Sequence, residues 1–270
     1  KKYRAFIKDT KNPERSRERL WNQEIVPLLK KSAYWQPRLP NIPTLRLDDF
    51  SITHYEDYEA DLLAAQHSHI QPFNGEKLIF WSETSGTAGV RKFFPITASF
   101  QTQFQRTMPP YIYTLTQRFH GLFKEKMLYL VAVDSHKTSP AGTPSGWISN
   151  FNYRNLPVFI KRSYAMPDEV FDSTEVYTQW SALYALASDL SALFAVTPMV
   201  IDAFFERCLH DFKHFLPYLL GEKSIPDFLP PLQITRKRRH YLSQLAQQNP
   251  SSFKEIWPSL SIVGCWISGL

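Results

Sequence analysis

Apolar positions recur along this chain with two different periods, and the changes between them mark out its elements. From Tyr3 to Lys31 the spacing of Phe6, Leu20, Trp21, Ile25 and Leu28 among charged residues predicts helical segments, with Asn12-Pro13 as a cap followed by a first-turn proline. Leu45 to Phe50 leads into Ile52 to Tyr58, after which Leu62 and Leu63 continue as a short helix. The period then shortens. Lys77 to Ser82 is an apolar run suited to a buried strand, Phe93-Phe94-Pro95-Ile96 is a second, and a small-residue loop lies between them. Thr97 is placed to cap a helix running from Ala98 through Phe100 and Phe104 until Pro109-Pro110 breaks or kinks it.

Met127 to Val133 is almost wholly apolar, as a strand buried on both faces would be, so a sheet is implied. Asp134 to Ser149 holds Pro140, Gly142, Pro144 and Gly146 without periodicity and reads as a long loop. Trp180, Leu183, Tyr184, Leu186, Ala187, Leu190, Leu193 and Phe194 stand at helical spacing. Thr197-Pro198 opens a further helix bearing Ile201, Phe204, Phe205, Cys208, Leu209 and Phe212, so amphipathic helices are expected in tandem. A polar helix near Thr235 to Gln248 and a strand from Leu260 to Trp266 complete an α/β pattern without internal repeats.

Composition narrows the class. The 270 residues are 43% hydrophobic and 15% aromatic, enough for the core of one large domain or two small ones. No apolar stretch approaches the roughly 20 residues that cross a bilayer, and no segment has the order of a secretion signal. A soluble, cytoplasmic protein without a membrane partner is expected. Cys208 and Cys265 lack metal-type spacing, which argues against a disulfide framework or a zinc knuckle. The net charge of +6 suits anionic ligands without selecting one. Lys1 at the start and Leu270 directly after an apolar run suggest a segment of a longer protein.

The chemistry concentrates in Ser82 to Lys92, between the first strand-like runs. Successive small residues let backbone N–H groups converge on one concavity, Thr84, Ser85 and Thr87 add hydroxyl donors, and Lys92 supplies a mobile cation. That combination suits phosphate. The loop lacks the Gly-Lys-Ser/Thr ending of a Walker A motif, and no G-x-G-x-x-G occurs.

The pattern Ser-Gly-Thr-x-Gly-x-x-Lys resembles the phosphate-binding signature of the acyl-adenylate-forming, luciferase-like superfamily. The flanking text is similar to the plant auxin-responsive acyl-acid amido synthetase family and its bacterial relatives. Phe50 to Tyr58, Gly142 to Asn150, Ser181 to Pro198 and Ile256 to Trp266 agree in order and texture. His54 and Glu83 depart from it: the first stands where an apolar residue is expected, the second among small hydroxyl residues.

The resemblance implies that residues 1–270 are the N-terminal portion of a large adenylation domain, a mixed sheet flanked by helices. The rest of that domain and a small C-terminal domain would lie outside the chain. It implies ATP and Mg2+ as cofactors, with Thr84, Ser85, Gly86, Thr87, Ala88, Gly89 and Lys92 binding the nucleotide and Lys92 also catalytic. The magnesium segment, the ribose aspartate and a C-terminal lysine would follow Leu270, and the segment alone would be inactive. The implied reaction activates a small carboxylic acid as its acyl-adenylate and passes the acyl group to an acceptor; an amine, the thiol of coenzyme A and a hydroxyl all stay open.

Other readings remain beside this one. The aromatic helices from Tyr177 to Phe212 suit either an acyl pocket or plain core packing, and packing is preferred; Asp189 reads as a capped or paired core carboxylate or as a pocket residue, and the former is preferred. Ile267-Ser268-Gly269 is a nucleotide-contact candidate. Arg236-Lys237-Arg238-Arg239-His240 raises a nucleic-acid-binding module, although a solvated helix face explains such a run and no nucleic acid is expected as a partner. A noncatalytic adaptor is the third class.

Overall fold

The computed structural model describes residues 2–42, 44–84 and 91–265. They divide into two compact units, Lys1–Thr114 with His136–Gly146, and Leu115–Ser135 with Trp147–Leu270.

The first unit opens with helices α1 (Lys2–Thr10), α2 (Pro13–Leu20) and α3 (Val26–Lys31), the last two joined through a π-helical turn. Asn12 caps α2 by accepting from Arg15 N, as its Asn-Pro signature predicts. Helix α4 (Glu59–Ala65) lays Leu62 and Ala65 against Leu78 and Trp81 of strand β1 (Leu78–Glu83). Strand β2 (Phe93–Thr97) pairs antiparallel with β1, and α5 (Ala98–Arg118) follows at once with Thr97 Oγ1 accepting from Phe100 N.

One sequence expectation is narrowed in this region and another fails. Of the break or kink expected at Pro109 and Pro110, the break does not occur, since helix α5 runs through both. The carbonyls that lose N–H partners belong to Gln105 and Arg106, both exposed, so water can replace the missing donors. The supposed loop after Asp134 contributes strands β4 (Lys137–Thr138) and β5 (Pro144–Gly146), giving a mixed sheet in the order β2-β1-β5-β4. The turn between them uses Gly142 at φ +86°, the left-handed conformation that glycine adopts without strain.

The second unit is built on a parallel sheet in the order β3-β6-β7, formed by β3 (Lys126–Leu130), β6 (Leu190–Ala195) and β7 (Ile262–Cys265). Short helices α6 (Ile148–Arg154) and α7 (Val158–Lys161) follow β3 in the chain. Helices α8 (Thr174–Ala187), α9 (Pro198–His210), α10 (Phe212–Leu220) and α11 (Arg236–Gln248) supply most of its core, with Phe171, Phe205, Phe212 and Trp257 fully buried. Helix α12 (Phe253–Ile256) precedes β7.

The expected helical run through Phe194 is corrected here: α8 stops at Ala187, and Leu190 to Ala195 is the central strand. An apolar run buried on both faces carries no period of its own, so spacing alone extended the helix across Ser188 and Asp189. The following helix also ends at His210, before Phe212. No helix among the described residues is long and apolar enough to cross a membrane.

Candidate functional site

Strands β1 and β2 lie side by side, so the loop between them leaves and re-enters the sheet at one end. Glu83 pairs with Phe93 in the register, and Thr84 N donates to the Lys92 carbonyl at 3.0 Å, which closes the neck of the loop. Thr84 and Lys92 are thus brought together. Ser85, Gly86, Thr87, Ala88 and Gly89 lie outside the described residues, as do Ile267, Ser268 and Gly269.

Lys92 Nζ donates to Glu56 Oε1 at 2.7 Å and lies 4.7 Å from the centroid of the Tyr55 ring. Tyr55 Oη in turn accepts from Phe93 N at 3.0 Å, so the segment around Tyr55 is tied to the strand that follows the loop. The hydrogen bond from Lys92 holds the Glu56 carboxyl below the usual range, with backbone N–H donation to it adding to the effect. Glu56 is 64% exposed, and an ion pair with so exposed a partner is weak. Lys92 is therefore placed without being locked.

Glu83, a departure from the expected pattern, proves to be central. Its side chain is only 4% exposed, a setting a carboxylate tolerates only when paired. Arg91 Nη1 approaches Oε2 at 2.6 Å, Lys137 Nζ lies 3.8 Å from the same oxygen, and Ser145 Oγ donates to Oε1 at 3.0 Å. The Glu83–Arg91 pair fastens the loop neck a second time. A charged residue ending an apolar strand was the only sequence signal for this role.

A cavity of about 400 Å³ opens at this neck. Trp81 and Glu83, two residues apart on one face of β1, share its lining with Gln66, Arg91, Lys137 and Ser139. Trp81 Nε1 and Gln66 Nε2 are buried donors that find no acceptor among the described residues.

A second cavity, about 500 Å³, lies in the other unit near the start of β3. Its polar groups are largely committed: Lys126 donates to the Arg162 carbonyl, Lys161 to Asp168, and Tyr184 to the Pro230 carbonyl. Burial raises the Tyr164 and Tyr184 phenols to about 12, so both stay neutral near pH 7.

The remaining sequence candidates take structural places. Most aromatics of α9 and α10 sit in the core. Asp189 accepts from Ser259 Oγ at 2.7 Å, as a paired carboxylate would. Arg238, from the basic run, is buried and donates through Nε and Nη2 to the Leu186 carbonyl and through Nη1 to the Ile256 carbonyl.

A family model described as the GH3 family N-terminal domain matches residues 3–270. No curated protein matches the sequence. Among solved structures, GH3.15 acyl acid amido synthetase superposes with a TM-score of 0.68 at 16% identity, covering 90% of this chain and 47% of its own. The same enzyme in complex with 2,4-DB gives a TM-score of 0.65 at 16% identity, covering 81% of this chain and 42% of its own. The chain thus spans less than half the length of these structures, and at such identity the likeness is one of fold.

Proposed function

The chain belongs to the GH3 family, and on that premise we propose that the protein carrying it activates a carboxylic acid with ATP as an acyl-adenylate and then transfers the acyl group to an amine. The observation that carries this reading is the twice-fastened loop between β1 and β2, where Thr84 N meets the Lys92 carbonyl and Glu83 meets Arg91. A closed neck sets Thr84 and Lys92 side by side before a phosphate arrives, and preorganised electrostatics is usually the largest catalytic contribution.

In the first step a carboxylate oxygen attacks the α-phosphorus of ATP, and the bond to pyrophosphate breaks. Lys92, 39% exposed and held among the described residues by Glu56 and the Tyr55 ring, supplies a cation that a phosphate can attract away from its weaker partner. The hydroxyls and N–H groups of the Thr84 to Gly89 stretch would bind the phosphate oxygens. In the second step the amine nitrogen attacks the acyl carbon, AMP departs, and the nitrogen loses a proton. Magnesium bound to the nucleotide would neutralise charge on the departing pyrophosphate.

The test is acid-dependent exchange of labelled pyrophosphate into ATP by the full-length protein across a panel of carboxylic acids. Exchange that appears only with particular acids is expected. Its absence with every acid, from folded protein supplied with magnesium, would sink the proposal.

A further inference from the structure

We propose that the amino edge of the second unit's parallel sheet seats the protein on a membrane surface rich in monoanionic phospholipid, with Val158 and Phe159 entering the lipid interface and Lys126 and Arg162 meeting headgroup phosphates.

The apolar part of this seat is a loop tip. Val158 and Phe159 open the short helix α7 at 69% and 74% exposure, and Phe123, in the turn before β3, is 54% exposed. Phe123 precedes Lys126 by three residues, Phe159 precedes Arg162 by three, and Lys126 Nζ donates to the Arg162 carbonyl. Three residues reach at most about 10 Å, so both rings flank one contact. Single apolar residues on a surface are ordinary. Two phenylalanines and a valine gathered beside cations have the composition of an interfacial anchor.

The charge lies in the adjoining cavity of about 500 Å³, which Val158 lines together with Lys126, Lys161 and Arg162. Asp168 and Glu169 line it too, so three cations face two carboxylates and one positive charge is left over. Lys161 is committed to Asp168, whereas Lys126 and Arg162 have no acidic partner among the described residues. A headgroup with one net negative charge matches that surplus, and a polyphosphate would be driven against Asp168 and Glu169. Tyr164 and Ser188 add hydroxyls that no described residue engages in a hydrogen bond. The Tyr164 phenol, neutral near pH 7, can donate to a phosphate oxygen.

A bilayer supplies both demands in the right order, a layer of phosphates above a layer of hydrocarbon. Nucleic acid offers the phosphates without an apolar layer for Val158 and Phe159. Growth of the sheet would not cover the patch either. Strand β3 already pairs with Tyr164 at Met127, so a further strand would add at β7, the opposite edge. The seat is peripheral, and it departs from the expectation of no membrane partner, which rested on spans and signals alone.

The experiment is cosedimentation of the full-length protein with vesicles of phosphatidylcholine, alone or with phosphatidylglycerol as about one lipid in three. Binding is expected with the mixed vesicles only. Raising salt from about 0.1 M to about 1 M, which shortens the screening length from about 10 Å to about 3 Å, should loosen it. Phe159→Ser should weaken binding about tenfold by removing buried apolar area, and Arg162→Gln about fivefold by removing one interfacial cation. Both positions are exposed, so neither variant should melt early. In a Phe159→Trp variant, indole emission should shift to the blue on mixed vesicles and not on phosphatidylcholine. Soluble glycerol phosphate, which offers the headgroup without a surface, should not displace the protein.

Equal binding to both vesicles, or none to either, overturns the inference. So does unchanged affinity in Phe159→Ser, an unshifted indole, or full displacement by glycerol phosphate. Self-association in sedimentation velocity that is lost in Phe159→Ser would make the tip a contact between copies of the chain and overturn it too.

Discussion

Lys92 and Glu83 flank the same loop, yet only Lys92 stood out as a candidate in the sequence. A lysine ending a run of small hydroxyl residues advertises phosphate by local pattern. Glu83 gains its meaning from Ser145, 62 residues away, and from Lys137, which no local pattern can reveal. Replacing Lys92 with alanine should lower the exchange reaction's kcat/KM about 10- to 100-fold, as loss of a single oriented charge on a phosphate commonly does, with wild-type kinetics counting against its role. The same variant should let the Glu56 carboxyl rise toward its usual pKa, read by carbon-detected NMR titration. Because the folded value is lowered, the small stabilisation from this pair is present above the ordinary glutamate pKa and fades as pH falls through the folded value. Arg238 was legible only as part of a basic run. Burial pushes its pKa down to about 10, so it remains charged at neutral pH while satisfying carbonyls of Leu186 and Ile256. Arg238→Ala would leave those carbonyls without these donors inside the core and should destabilise the protein by about 2–4 kcal/mol, measured by urea unfolding.

At the level of elements, caps and turns were the most legible features, because their chemistry is local. Asn12 and Thr97, the two predicted caps, accept from Arg15 N and Phe100 N, and Thr197 and Thr235 cap the helices they precede in the same way. Boundaries set by tertiary contact were not legible. The strand Leu190–Ala195 lies between β3 and β7, and its uniform burial erased the alternation that would have separated it from α8. β4 and β5 exist because they pair with each other and β5 adds to β1, although Pro140, Gly142 and Pro144 make the segment look irregular. Helix α5 likewise carries its prolines against propensity. Pro109→Ala would restore a donor to the Gln105 carbonyl, although the following Pro110 still disfavours helical geometry at position 109. A gain of about 1–2 kcal/mol is expected in thermal or urea unfolding; a loss would mean that the Pro109 ring, partly buried, contributes more by packing than the hydrogen bond returns.

Across the whole molecule, charge is the property that composition states most plainly and interprets least. A net charge of +6 and a basic run on α11 invite a nucleic-acid reading. The fold takes Arg238 out of that run: it turns inward, while Arg236, Lys237, Arg239 and His240 stay exposed, Arg239 with its guanidinium close enough to Gly221 that a Cβ there would meet Nη1 at 3.3 Å. Tyr241 on the same helix is partly buried and donates to the Glu255 carbonyl, so its ring is not an open stacking platform for the cations. Buried hydrogen-bonded charge also releases no counterions, so the effective phosphate-facing charge is smaller than the sequence suggests. Gel-shift titration with single- and double-stranded DNA and with RNA at about 150 mM salt is therefore expected to show no complex at micromolar protein, because what attraction remains is the diffuse, salt-screened kind. Retention that persists at that salt, and that falls when Arg236 and Lys237 are replaced by glutamine, would reverse the argument and make α11 a binding surface.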